Sequence, residues 1–351
     1  MNFTERLTEI VALGASDVFI VAGRPLSYKL NGTMHTVDDK RLMPGDTDEI
    51  IREIYRMAND RSTAALLQKG DDDFSFSIKG ISRFRVSTYK QRGSLAAVVR
   101  IIQFTMPDPK ELHIPDKVIR LADFTKGLVL VTGPAGSGKS STLACMIDYI
   151  NNTRENHIIT LEDPLEYLHS HNKSIVSQRE INSDTESYLT ALRATLRQSP
   201  DVILLGEMRD YETISVTLTA AETGHLIFST LHTIGAANTI DRIIDVFPAD
   251  QQRQIAVQLS SVLRAVVSEQ LVPSVDGRLV PAFEIMMMNT AVRNMIRDGK
   301  IHQIDGIIYS SPGNEMQSMD ASLLGLYKDG IISRDTALTY ASNPDMLTKK
   351  L

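Results

Sequence analysis

The stretch that most constrains this chain is residues 127–142, GLVLVTGPAGSGKSST. It reads as an apolar strand running into a glycine-rich turn that opens a helix. Residues 133–140 fit the pattern G-x-x-x-x-G-K-[ST], in which backbone N–H groups and the helix N-terminus surround phosphate oxygens. The loop residues are Gly133, Pro134, Ala135, Gly136, Ser137, Gly138, Lys139, Ser140 and Ser141. Lys139 suits the β- and γ-phosphates, and the Ser140 hydroxyl suits a Mg²⁺ shell. The flanks agree with this reading: residues 128–131 are continuously apolar, as in a buried parallel strand. Leu143, Met146, Ile147 and Ile150 recur at helical spacing.

Apolar runs at 158–161, 202–205 and 226–230 alternate with helical patterns, which predicts an α/β domain with a largely parallel sheet. Sheets of this type place ligands at the carboxyl ends of their strands. Polar chemistry follows each of these three runs: Glu162, Asp163 and Glu166 after the first, Glu207, Arg209 and Asp210 after the second, His232 after the third. Glu207 suits the polarising of an attacking water across from a γ-phosphate, and His232 its sensing by a hydrogen bond. Either Glu166 or Glu162 suits Mg²⁺ through water, since this ion keeps much of its hydration. His225 follows Gly224 at a helix stop, and with the other segments it is expected at the loop-bearing edge.

Residues before about 110 form a separate module. A short amphipathic helix covers 3–13, strands cover 17–21 and 26–30 around an Asn31-Gly32 turn, and 48–57 is helical. Three more strands are expected near 74–78, 81–89 and 95–102. Arg83 and Arg85 share one face of the second of these, with Phe84 and Val86 opposite; Arg100 lies on the neighbouring strand and Arg92 in the turn between them. Such arginines form either a solvated face or a set of guanidinium groups that neutralises a γ-phosphate. The prolines between 106 and 115 mark a linker.

Beyond Pro273 the pattern reads as helical, with Thr290 expected to cap a helix over 291–297 whose apolar side is Val292, Met295 and Ile296, and further helices near 321–328 and 334–341. The three methionines at 286–288 read as adaptable packing. The single cysteine, Cys145, excludes an intrachain disulfide and a multi-cysteine zinc site. A net charge of −6 gives no broad attraction to nucleic acid or anionic lipid. With no stretch of about 18 apolar residues and no leader-like start, a cytosolic or peripheral protein is expected.

These residues together resemble the PilT group of secretion ATPases, the motors that retract type IV pili, over nearly the whole chain. Residues 162–166, EDPLE, are similar to the family's acidic box; 206–210, GEMRD, to its atypical Walker B segment; 219–225 with 230–233 to its histidine box. Residues 291–297, AVRNMIR, resemble the C-terminal segment associated with retraction. The chain departs from the pattern at Phe19, where the family often has histidine, and at Gln198 and Ser199, where an acidic pair is common.

The resemblance implies a PAS-like α+β domain over 1–105, a linker over 106–117, a RecA-like P-loop ATPase domain over 118–272 and a helical C-terminal region over 273–351. It implies ATP and Mg²⁺ as cofactors and a homohexamer in which arginines of the N-terminal domain, here Arg83, Arg85 or Arg100, complete the ATP site. For the acidic-box role it points to Glu166 more than Glu162. The implied partners are an inner-membrane pilus platform protein and, indirectly, pilin, with the motor in the cytoplasm at the inner face of the cell membrane. Absence of a four-cysteine motif and of an extra N-terminal domain favours the retraction branch. An accessory retraction paralogue or another secretion ATPase is the alternative reading. A nucleic-acid translocase is disfavoured by the acidic balance, and a non-hydrolysing regulatory subunit by the completeness of Lys139, Ser140, Glu166 and Glu207.

Overall fold

In the computed structural model, described for residues 3–30, 32–102, 106–311 and 315–351, the chain divides into two compact units. One holds the residues up to 105 together with 166–168; the other holds the rest.

The first unit opens on helix α1 (Phe3–Ala12), whose Phe3, Leu7 and Ile10 face inward at helical spacing. Strands β1 (Asp17–Ile20), β2 (Pro25–Leu30) and β3 (Thr33–Arg41) follow, then helices α2 (Pro44–Met57) and α3 (Ala64–Lys69), and strands β4 (Asp71–Ile78), β5 (Ser82–Gln91) and β6 (Ser94–Ile102). They form one sheet in the order β3-β2-β1-β6-β5-β4, antiparallel at every junction. Phe74, Phe76, Phe84, Val86, Val99 and Ile101 line its inner face with α1 and α2. The expected turn at Asn31 lies outside the described residues.

The second unit starts with short helix α4 (Asp116–Ile119) and a 3₁₀ turn (Arg120–Asp123). There follow β7 (Gly127–Thr132), α5 (Lys139–Thr153), β8 (His157–Glu162), β9 (Ile175–Glu180), α6 (Tyr188–Thr195), β10 (Val202–Leu205), α7 (Tyr211–Glu222), β11 (Leu226–Leu231), α8 (Ala236–Asp245), α9 (Ala249–Val262), β12 (Leu263–Pro273) and β13 (Leu279–Met287). The sheet order is β13-β12-β7-β11-β10-β8-β9, parallel throughout except for β13 against β12. Alternate residues of each central strand enter opposite cores. Leu128, Leu130, Ile159, Leu161, Ile203 and Leu205 pack on one side; Val129, Val131, Ile158, Val202, Leu204 and Phe228 pack on the other. Burial on both faces is why these strands read as continuous apolar runs.

The region after Pro273 is not helical from its start: Leu279–Met287 is the edge strand β13, where Pro281 is tolerated because an edge strand has one unpaired side. Helices then take over: α10 (Thr290–Arg297), α11 (Ile304–Ser310), α12 (Met319–Lys328), α13 (Arg334–Tyr340) and α14 (Pro344–Thr348). Asn289, not Thr290, caps α10, its side chain accepting from the Val292 N–H. Leu323, Ile332, Ala337 and Leu347 close a small core against Val272 and Val280.

Candidate nucleotide site

β7 ends at Thr132 and the chain turns at Gly133, whose N–H donates to the Leu231 carbonyl at 3.3 Å. Gly133, Gly136 and Gly138 all have positive φ, at 142°, 76° and 103°. At Gly133 and Gly138 a Cβ would also collide with Glu269, so conformation and space both demand glycine. Lys139 begins α5 and folds back over the loop, donating to the carbonyls of Gly133 (2.9 Å) and Pro134 (2.8 Å). Pro134, Ala135 and Gly136 are exposed, Ser140 and Ser141 half-buried. The Ser137 hydroxyl is buried with no hydrogen-bond partner, a polar atom left for a ligand inside the cradle.

The next strands complete this edge. β11 pairs with β7 and β10 with β11, so Glu207, just past β10, stands two strands from the loop, about 10 Å at normal strand spacing. The segment is held rigidly. Gly206 N–H donates to the Leu161 carbonyl at 2.8 Å, Met208 N–H to the Thr230 carbonyl at 3.2 Å, and Thr230 Oγ1 to the Gly206 carbonyl at 2.6 Å. The Tyr188 hydroxyl lies where a side chain on Gly206 would stand. Burial, with Glu207, Asp163 and Glu162 nearby, pushes the Tyr188 phenol up.

The Glu207 side chain is 13% exposed, ion-paired with Arg209 through one oxygen, and its Oε2 lies 3.5 Å from His232 Nε2. A cavity of about 350 Å³ opens here, lined by Glu207, Arg209, Thr230, His232 and Arg242 among others. The loop after His232 is fixed by Gly235 N–H to Ser268 Oγ (2.9 Å) and Ala236 N–H to Glu284 Oε1 (2.8 Å). Glu162 closes β8 at the same edge, where its Oε1 accepts from Gln178 at 3.4 Å.

His225 does not join them. It precedes β11 at the amino edge, its carbonyl accepting from Gly127 N–H at 2.9 Å and its Nδ1 lying 2.9 Å from the Ala220 carbonyl. The six residues of β11 put it about 20 Å from His232, on a separate 780 Å³ cavity with Arg154, Lys173 and Asp201. Two histidines close in sequence part because a strand runs between them.

Glu166 is exposed, four residues beyond β8, and is grouped with the first unit. Within that unit Arg85 stands opposite Arg100 across β5 and β6; both are exposed, Arg83 is half-buried, and Arg100 pairs with Asp17 at 3.0 Å.

Two residues of the second unit have contacts at this site to which the sequence assigns no role. Arg209, in plain view beside Glu207, claims one of its oxygens. Glu269, on β12, is 2% exposed directly under the loop, with Oε2 accepting from Thr142 Oγ1 at 2.9 Å. Burial pushes its carboxyl up to about 7, the Thr142 hydroxyl and the Lys139 ammonium opposing the rise.

The family model described as "Type II/IV secretion system protein" matches residues 2–303. The type IV pilus retraction ATPase PilT of Pseudomonas aeruginosa is 43% identical over 345 residues, 98% of this chain and 99% of its own. The type IV pilus ATPase PilU of the same organism is 40% identical over 99% of this chain and 90% of its own. Among solved structures, the pilus retraction motor PilT with bound ADP superposes with a TM-score of 0.90 at 44% identity, covering 99% of both chains.

Proposed function

The chain belongs to the type II/IV secretion system protein family, and from that premise we propose that it is an ATP-hydrolysing motor that powers type IV pilus retraction. It acts as a homohexamer on an inner-membrane platform protein at the cytoplasmic face, and pilin leaves the fibre as the indirect result. The observation that carries the ATPase reading is one sheet edge: the glycine cradle after β7 with Lys139 at the start of α5, and Glu207 with His232 two and one strands away. Nucleic acid is not an expected partner, since the net charge is −6.

In this reading the loop N–H groups and Lys139 bind the phosphates, and Lys139 exchanges its two carbonyl acceptors for phosphate oxygens. The buried Ser137 hydroxyl fits a phosphate oxygen. Ser140, with Glu166 through water, would hold Mg²⁺, which when bound neutralises charge on the β- and γ-phosphates. Glu207 orients the attacking water through the oxygen that Arg209 leaves available, and His232 beside it reports whether a γ-phosphate is present. Arg83, Arg85 or Arg100 of the N-terminal domain supplies positive charge for the γ-phosphate.

The test is deletion of the gene in its host, complemented by wild-type and Lys139→Ala chains, scoring pilus number and surface motility. Accumulated pili that do not retract, rescued by the wild type alone, are the expected result. Unchanged piliation and motility refute the retraction role, and no phosphate release by the purified hexamer refutes the motor. The similarity to PilU supports a second reading, an accessory retraction motor. In that case the chain rescues retraction only when another motor is present.

A further inference from the structure

Glu269 is a buried carboxylate at a place built for phosphates. Its main-chain carbonyl fills the space that a side chain on Gly133 would need, and its Oε1 fills the space beside Gly138. Its Oε2 accepts from Thr142, one turn into α5. One residue therefore touches both glycine ends of the loop and the first turn of the helix. Loop amides and a helix N-terminus favour anions, and here a titratable carboxyl group already lies under them. It interacts favourably with Lys139 and competes with any phosphate for the same field.

We propose that Glu269 is a positioning residue for nucleotide binding: it anchors the loop at Gly133 and Gly138, and its carboxylate charge limits how tightly the loop holds nucleotide phosphates. The assignment rests on the ATP-site reading above. In a motor this weakening favours release of ADP, a step that sets the turnover of many enzymes.

The charge is adjustable, because the carboxyl sits near neutrality. The titratable groups facing it are Lys139 and Cys145, both from α5; Phe283 stands opposite on β13, and the neighbouring β7 ends in Thr132 and Gly133. Burial pushes the Cys145 thiol up to about 12, so it stays neutral near pH 7. Bound phosphates raise the Glu269 carboxyl further. Nucleotide thus binds most tightly below the free-state value, and affinity falls as pH rises through it, by about tenfold for each pH unit separating the free and bound values.

The test is ADP titration of the full chain from pH 6 to 9, for wild type, Glu269→Gln and Thr142→Val. The titration of ADP itself is common to all three. Wild-type and Glu269→Gln chains should agree near pH 6, and by pH 9 the variant should bind about tenfold more tightly. Its KM for ATP should fall without a matching rise in kcat. Thr142→Val keeps the carboxyl but loses the donor that favours its charged form, so its profile should move to higher pH; this arm stands even if Glu269→Gln folds poorly. Parallel profiles in chains that all bind ADP overturn the Glu269 assignment alone. A wild-type chain that binds no ADP at any pH overturns the ATP-site reading and this assignment with it.

Discussion

Replacing Glu269 by glutamine should also make the stability of the chain less sensitive to alkali. In the folded chain burial lifts this carboxyl from its ordinary 4.5 to about 7, while the unfolded chain keeps the ordinary value. Below pH 4.5 the acid is neutral in both states and carries no charge penalty. Between 4.5 and 7 the folded state binds the extra proton, and stability falls as pH rises; above 7 the penalty is complete. At about 1.4 kcal/mol per pH unit the penalty reaches about 3 kcal/mol. Glutamine has no such term, though its buried amide adds an offset that does not vary with pH. The test is therefore the change in the gap between the two chains, not its absolute size. Thermal unfolding at pH 4.5 and pH 8.5 should show the wild-type Tm losing about 6–12 °C relative to the variant, at roughly 2–4 °C per kcal/mol for a unit of this size. Other buried acids, such as Glu284, titrate alike in both chains and cancel. A gap that stays constant across this range would refute a buried carboxylate under the loop whose burial outweighs its partners.

Three further outcomes follow from the geometry. Glu207→Gln should lower phosphate release by about 10²–10⁴-fold with ADP affinity kept; loss of ADP binding in a titration would move Glu207 from water polarisation to nucleotide binding. Gly138→Ala meets both a φ of 103° and the Glu269 carboxylate, whereas Gly136→Ala meets only a φ of 76° in open space. By denaturant unfolding, Gly136→Ala should cost about 1–2 kcal/mol and Gly138→Ala clearly more. Asn289→Ala removes the cap of α10 and should cost about 1 kcal/mol, while Thr290→Ala, one residue later, should change the unfolding midpoint by less than half as much.

The central strands of the second unit were readable because both faces are covered, so every position is apolar and the run stands out from its surroundings. The strands that were not read lie at or near edges. β3 is exposed along most of its length and carries Asp38, Asp39, Lys40 and Arg41, and β9 buries only Val176 and Glu180. Neither shows an apolar alternation, and exposed edges are where charge is favoured. β12 failed for another reason. From Ala249 to Val272 there is neither glycine nor proline, so helix α9 passes into the strand at Leu263 with no turn signal between them.

The site divides along a similar line. Glu207 is legible because it follows an apolar run with only Gly206 between them, and a polar residue at a strand's carboxyl end has one place to be in a parallel sheet. Glu269 stands 127 residues from the Thr142 hydroxyl that holds it, inside a strand, among Ser268 and Gln270, where it reads as polar interruption. Its importance arises only from the register that lays β12 beside β7, with Ser268 opposite Thr132, so that the next residue passes under Gly133. The two histidines make the converse case. His225 and His232 fall in one short segment and invite a common role, yet β11 carries them to opposite edges of the sheet. Nearness in sequence thus overstates what His225 contributes to this edge. Distance in sequence hides Glu269, the residue against which Gly133 and Gly138 pack.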